Sequence, residues 1–192
     1  MAGVTTATAR VAHLHARISA YVIDSVVLLG FILLFFACAG AVLLFSSDLG
    51  QNDPADSAYY AFIGLFMGGT LLAWTAFNVG LTLWRGQSAG MYIVGIRMVG
   101  EDALALTRGR ALVRWFGLHP LLFHPFLLPV WALFSFIIVS LTLSKIVLVV
   151  TLALVLLCVV SPVAGLATML LDSDRRGLHD RLAGTLVVQL ER

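Results

Sequence analysis

Four stretches of this chain meet the ~20-residue length at which an apolar segment can cross a bilayer: Ile18–Phe45, Ala58–Trp84, Trp115–Ser144 and Ile146–Leu171. All four exceed that minimum, so tilt, kinks or interfacial ends are expected. A soluble domain of this length needs about 25% charged residues to cover its surface, and here only 11% are charged while 60% are hydrophobic. The expectation is one domain over 1–192, a helical membrane protein with spans near 18–45, 58–84, 115–144 and 146–171.

Loop charges set the orientation. Ser46–Ser57 carries Asp48, Asp53 and Asp56 and no cation. Arginines fill the other segments: Arg10 and Arg17 before the first span, Arg85, Arg97, Arg108, Arg110 and Arg114 between the second and third, Arg175, Arg176, Arg181 and Arg192 at the end. Four spans put those three segments and both termini in the cytoplasm and the acidic loop outside, with Lys145 as an exception in the outer turn. A rival reading uses Pro120, Pro125 and Pro129 to make Trp115–Pro129 interfacial or re-entrant. Three crossings would then carry the Arg-rich tail outside, against the charge rule. The first run reads as a retained helix: it is long for a signal peptide, contains Asp24 and has no clear cleavage site.

Asp24 is the only charge in the first run. It lies ~10 Å into the helix, counted from Arg17 at ~1.5 Å per residue, where an unanswered carboxylate costs several kcal/mol. Asn78 and His124 count to about the same depth, and Thr168 somewhat shallower. The four are candidates for a polar layer that binds a proton or a cation. The plainer reading pairs Asp24 with Arg97 or Arg114 reaching up from the cytoplasmic segment. Asn78 alone is a helix–helix hydrogen bond and His124 alone an interfacial histidine on the same plain reading.

The segments 85–114 and 172–192 also have structure of their own. Tyr92–Val99 is rich in β-branched residues and reads as a strand, Gly100-Glu101-Asp102 as a turn, and Ala103–Leu106 as a second strand. Thr107 reads as the N-cap of a helix carrying Arg108, Arg110 and Arg114. Leu178–Ala183 suggests a short helix ended by Gly184, and Thr185–Leu190 another strand. The fold class is therefore an all-α, four-helix transmembrane bundle with a small cytoplasmic β-sheet and short amphipathic helices.

Other features read as structural. Gly64, Gly68 and Gly69 allow close helix approach, Gly64 and Gly68 as a small-residue packing motif, and Tyr59, Tyr60, Trp84 and Trp115 fall where an aromatic belt would lie. Cys38 and Cys158 sit within spans and read as buried small hydrophobes, with no disulfide framework. His119 and His124, five apart, fall on different helix faces, and no metal site or cofactor is expected. Arg108, Arg110 and Arg114 serve orientation, contact anionic lipid headgroups, or meet an acidic partner. A net charge of +2 and the lack of a recognition motif argue against nucleic acid. With no phosphate loop and no catalytic triad pattern, the chain is expected not to be an enzyme.

Four ordered pieces carry a resemblance: Arg17-x-x-Ala20-x-x-Ile23-Asp24; Gly86-Gln87-Ser88-Ala89-Gly90; Val94-Gly95-Ile96-Arg97-Met98-Val99; and Gly177-Leu178-His179-Asp180-Arg181-Leu182-Ala183-Gly184-Thr185-Leu186-Val187-Val188. In this order they resemble the RDD family, small bacterial membrane proteins named for one Arg and two Asp. The resemblance assigns Arg17 and Asp24 to the named Arg and first Asp, and Asp180, with Asp172 as alternative, to the second. Gly86, Gly90, Gly95, Arg97, His179 and Gly184 belong to the same motifs. Family members often carry a basic residue where this chain has Met91. The resemblance implies a multi-pass protein of the bacterial inner (plasma) membrane and, loosely, transport, since a few members resemble monovalent-cation/proton antiporters.

Two function classes follow. One is a small secondary transporter for protons and monovalent cations with Asp24 as the titrating group, working as a homo-oligomer. The other is a scaffold or accessory subunit of a larger membrane complex, or an anionic-lipid binder. Transport requires water access to Asp24; a scaffold buries it in a satisfied Arg pair.

Overall fold

The computed structural model describes residues 10–101, 106–119, 128–142 and 145–190. The chain is mostly helical. Helix α1 (Leu14–Ser46) has 33 residues with a single carboxylate. After the acidic loop the chain returns as α2 (Asp56–Ile63), a π-helical turn (Gly64–Gly69) and α3 (Thr70–Arg85). Among the described residues, Leu14–Ser46 and Asp56–Arg85 are the two helical stretches long and apolar enough to cross a membrane. Both wear apolar surface outward: Val22, Val26, Leu33, Leu34 and Phe36 on α1 and Leu72 on α3 are more than half exposed. Water penalises such a surface, whereas lipid tails do not.

The polar end of this pair is where the fold departs from simple crossing helices. Gly86 ends α3 in the left-handed region at φ 65°, a backbone state that favours glycine. The chain doubles back into α4 (Ala89–Val94), capped by the Ser88 hydroxyl, which accepts from the Met91 N–H. Strand β1 (Ile96–Gly100) follows, then α5 (Arg108–Leu118). Thr107 is the N-cap of α5, accepting from the Arg110 N–H, as expected. Helices α6 (Leu128–Thr142) and α7 (Lys145–Leu171) pack on each other. Then come α8 (Leu178–Ala183), ended by Gly184 at φ 58°, and β2 (Thr185–Gln189).

β2 pairs antiparallel with β1, Met98 opposite Val187. Its other edge takes the chain before α1: the Ala12 N–H donates to the Val187 carbonyl and the Gln189 N–H to that of Arg10. β2 is thus the middle of a small three-segment platform. Two cores result. Leu28, Ile32, Phe66, Trp74 and Trp115 fill the space between the long helices. Ala12, Ala16, Ala20, Met91, Ile96, Met98 and Val187 seal the platform to the start of α1.

Several sequence expectations change. Tyr92–Val94 is helical, because Ser88 caps a helix there and Gly95, at φ 77°, ends it before the strand can begin. The proposed strand Ala103–Leu106 and His124 fall largely or wholly outside the described residues, as does the side chain of Cys158, and Cys38 is exposed on α1 rather than buried. Trp115 does not open a membrane span: it belongs to α5, is 3% exposed, and sits in the core rather than an aromatic belt. Of the close approaches expected at Gly64, Gly68 and Gly69, the one at Gly69 is present and those at Gly64 and Gly68 are not. A Cβ on either would meet nothing within 4 Å, whereas one on Gly69 would lie 2.5 Å from the Phe35 ring.

Candidate functional site

Asp180 is fully buried at the polar end of the molecule. Its Oδ2 accepts from Arg17 Nη1 at 2.9 Å and from the Gly177 N–H at 3.2 Å; its Oδ1 accepts from Arg114 Nε at 2.5 Å. Arg17 comes from the first turns of α1, Arg114 from the buried face of α5 beside Ala111 and Trp115. Three elements distant in sequence are therefore tied by one carboxylate. Arg17 extends the tie, donating to the Arg175 and Val187 carbonyls. Burial pushes the Asp180 carboxyl up, but the charges of Arg114, of His179 when protonated and of Arg17 outweigh it and hold the group well below the usual carboxylate range. His179, 3% exposed, is pushed down by burial to about 4, so its imidazole is neutral at pH 7. Glycines make room for it: a Cβ on Gly177 would lie 2.6 Å from the ring, and one on Gly117 3.0 Å from its Cβ.

Asp24 is answered differently. The Ser88 hydroxyl donates to Oδ2 at 2.5 Å and the Gly90 N–H to Oδ1 at 2.8 Å. Neither partner carries a charge. The second bond requires glycine, since a Cβ on residue 90 would stand 2.0 Å from the Ala20 carbonyl oxygen. Asp24 thus fastens the start of α4 to α1 with no guanidinium bonded to it among the described residues, although Arg114 lines the cavity beside it. Of the two arginines expected there, Arg114 binds Asp180, and Arg97 lies beside the Gly86 turn, where its Nε would be 3.6 Å from a Cβ.

A small cavity of about 60 Å³ opens beside Asp24. Asn78, Thr82, Ser88, Arg114, His119 and His179 also line it. That volume holds a few waters or a small ion; organic ligands need pockets of ~300 Å³ or more. The wall from α3 continues beyond the cavity. Thr70, Trp74, Asn78 and Thr82 recur at every fourth position and are the four buried residues of that helix, so one face of α3 carries hydrogen-bonding groups over about 18 Å. Asn78 Oδ1 accepts from the Trp115 indole N–H at 2.9 Å. The Trp74, Trp115 and His119 rings cluster with centroids 5.1–6.0 Å apart. The Thr70 hydroxyl, fully buried, has no hydrogen-bond partner among the described residues.

The structure therefore brings together Asp24 and Asn78 of the expected layer, but not Thr168. That hydroxyl donates to the Gly165 carbonyl and accepts from the Leu178 N–H, which occupies it with the approach to α8. Arg114, expected to meet lipid or a partner with Arg108 and Arg110, is 6% exposed and committed to Asp180. Asp172, the alternative family aspartate, accepts from Arg176 and Arg181 near the surface. Sequence reasoning missed His119 as a cavity residue, having weighed it only with His124. It also missed Ser88 and Thr82; the fourfold spacing Thr70, Trp74, Asn78, Thr82 was the available signal for the last.

No curated protein and no solved structure matches the chain. The RDD family model matches residues 11–184, from the segment before α1 to the glycine before β2. With that match and its two long apolar helices, this chain is a membrane protein that belongs to the RDD family.

Proposed function

We propose that this protein is a four-span secondary transporter of the bacterial plasma membrane that exchanges protons for monovalent cations, with Asp24 as the group that gains and loses the proton. The observation that carries the reading is the contrast between the buried carboxylate of Asp180 and the half-buried one of Asp24. Asp180 is neutralised by two arginines. Asp24 is held by a hydroxyl and an amide N–H and borders a cavity of ion size. A carboxylate kept in a bilayer helix without a bonded counter-charge is suited to trade a proton for a cation. Oxygens of Asn78, Thr82 and Ser88 line the same space.

In this reading α6 and α7 form the second pair of spans, and the platform with both termini is cytoplasmic, as the arginine distribution favours. Arg17, Arg114 and Asp180 serve as the lock that keeps the platform against the bundle, and Asp180 is the second family aspartate. The protein performs no covalent chemistry and uses no cofactor.

The test is cation/proton exchange in proteoliposomes, native chain against Asp24→Asn. The substitution keeps shape and removes the titratable group. Exchange in the native protein and none in a folded variant supports the reading; equal exchange in both refutes it. The locked platform itself favours a second reading, a non-transporting subunit that presents this surface to a larger membrane complex. No exchange by the native chain, with a stoichiometric partner retained in mild detergent, would select it.

A further inference from the structure

The aromatic and cationic groups where α3 meets α4 form a site unrelated to Asp24. Arg85 is the last residue of the second membrane-length stretch, which sets its guanidinium at the depth of lipid headgroups. It is exposed, yet its position is fixed: the guanidinium carbon stands 4.7 Å from the Trp84 ring centroid and 4.9 Å from that of Tyr92. Two aromatic faces hold a cation by cation–π attraction and leave its edge N–H donors free for an anion. No carboxylate pairs with Arg85 among the described residues. Beside it runs a groove of about 320 Å³ walled by Leu81, Ala89, Tyr92 and Ile93. The outer faces of Trp84, Tyr92 and Ile93 are 75%, 59% and 57% exposed, an apolar surface continuous with the lipid-facing side of the helix.

We infer that this groove binds one anionic phospholipid, its phosphate on Arg85 and the head of an acyl chain along Leu81 and Ile93. The charge argument selects an anionic lipid over a zwitterionic one. Among the described residues no Asp or Glu lines the groove, so a phosphatidylcholine ammonium finds no carboxylate there and is repelled by Arg85, whereas an anionic headgroup gains the guanidinium without that repulsion. The apolar wall selects a lipid over a free anion, because inorganic phosphate uses only the guanidinium. The arginines of the following segment are a separate matter: Arg114 is buried against Asp180.

Delipidated full-length protein in neutral detergent, titrated with phosphatidylglycerol or phosphatidylcholine and weighed intact by native mass spectrometry, tests this. Native protein should bind the first about tenfold more tightly than the second. Arg85→Gln should erase that preference, Tyr92→Leu should weaken it, and Lys145→Gln, at the far start of α7, should leave it unchanged. Equal binding of the two lipids by native protein overturns the proposal. So does a folded Arg85→Gln that keeps the preference, and so does release of phosphatidylglycerol by equimolar inorganic phosphate. Should Arg85→Gln fail to fold, Arg85→Met is read in its place, and a preference retained there is equally fatal.

Discussion

Replacing Asp180 by Asn changes one oxygen to a nitrogen and leaves two buried guanidinium groups without their counter-charge. Asp180 is 0% exposed, Arg17 7% and Arg114 6%, so water reaches none of them to compensate. Breaking a buried pair by removing one partner costs about 3–5 kcal/mol, and the Asn amide would turn a donor toward at least one arginine. The cost falls on the contacts Asp180 makes between α1, α5 and the α8–β2 segment. Amide hydrogen exchange of β1, β2 and α8, followed in detergent or nanodiscs by mass spectrometry, reads it directly. At ~1.4 kcal/mol per tenfold, protection of the Val187 and Met98 amides should fall by about two to three and a half decades, while mid-membrane amides near Ile32 hold. A second variant separates charge from packing. Arg17→Met/Arg114→Met/Asp180→Leu removes all three charges together, and apolar replacement of a buried ionic cluster is often close to neutral; much of the lost protection should return. A loss below about tenfold in Asp180→Asn would refute the claim that this carboxylate locks the platform.

Three further outcomes follow from the same geometry. Gly90→Ala drives a methyl to 2.0 Å from the Ala20 carbonyl oxygen, so α4 must move off α1; overpacking of this kind costs about 1–3 kcal/mol, and a lowered Tm in detergent together with lost protection at Met91 is expected. His179 makes stability fall with acid: its folded value of about 4 lies below the unfolded 6.5, so the unfolded state binds the proton first and stability declines as pH drops from about 6.5 to 4, by at most about 3 kcal/mol at 1.36 kcal/mol per unit, while His179→Gln flattens that limb. The depressed Asp180 carboxyl contributes stability that is intact above its unfolded value near 4 and is lost only below it, so it does not mask the histidine window. Asn78→Leu leaves the Trp115 indole N–H unpaired at about 1 kcal/mol, the scale of interhelical hydrogen bonds in membranes; adding Trp115→Phe should cost less than the sum of the two single changes.

What could be read from the sequence was local. Thr107 announced α5 because a threonine before an amphipathic run caps it, and Gly184 ended α8 because only a left-handed residue fits there. The same logic failed at Tyr92-Ile93-Val94. Their aromatic and β-branched side chains suggest a strand, but the Gly90 N–H is bonded by Asp24, sixty-six residues earlier, and that tertiary contact fixes a helix against propensity. Depth counting brought Asp24 and Asn78 to one cavity, since both lie on long regular helices with a fixed rise. It could not show that the cation for Asp180 comes from Arg17, 163 residues away, nor that Arg114 turns inward. Such pairings depend on how helices rotate and cross, which no single helix encodes.

The central claim is that Asp24 trades a proton for a cation. The most direct measurement is proton release on cation binding: add sodium or potassium to weakly buffered purified protein near the pH of half-protonation and follow a pH dye. The account predicts release approaching half a proton per chain, saturating with cation and absent in folded Asp24→Asn. Equal release from both proteins, or cation binding by the native chain with no proton released, would contradict it.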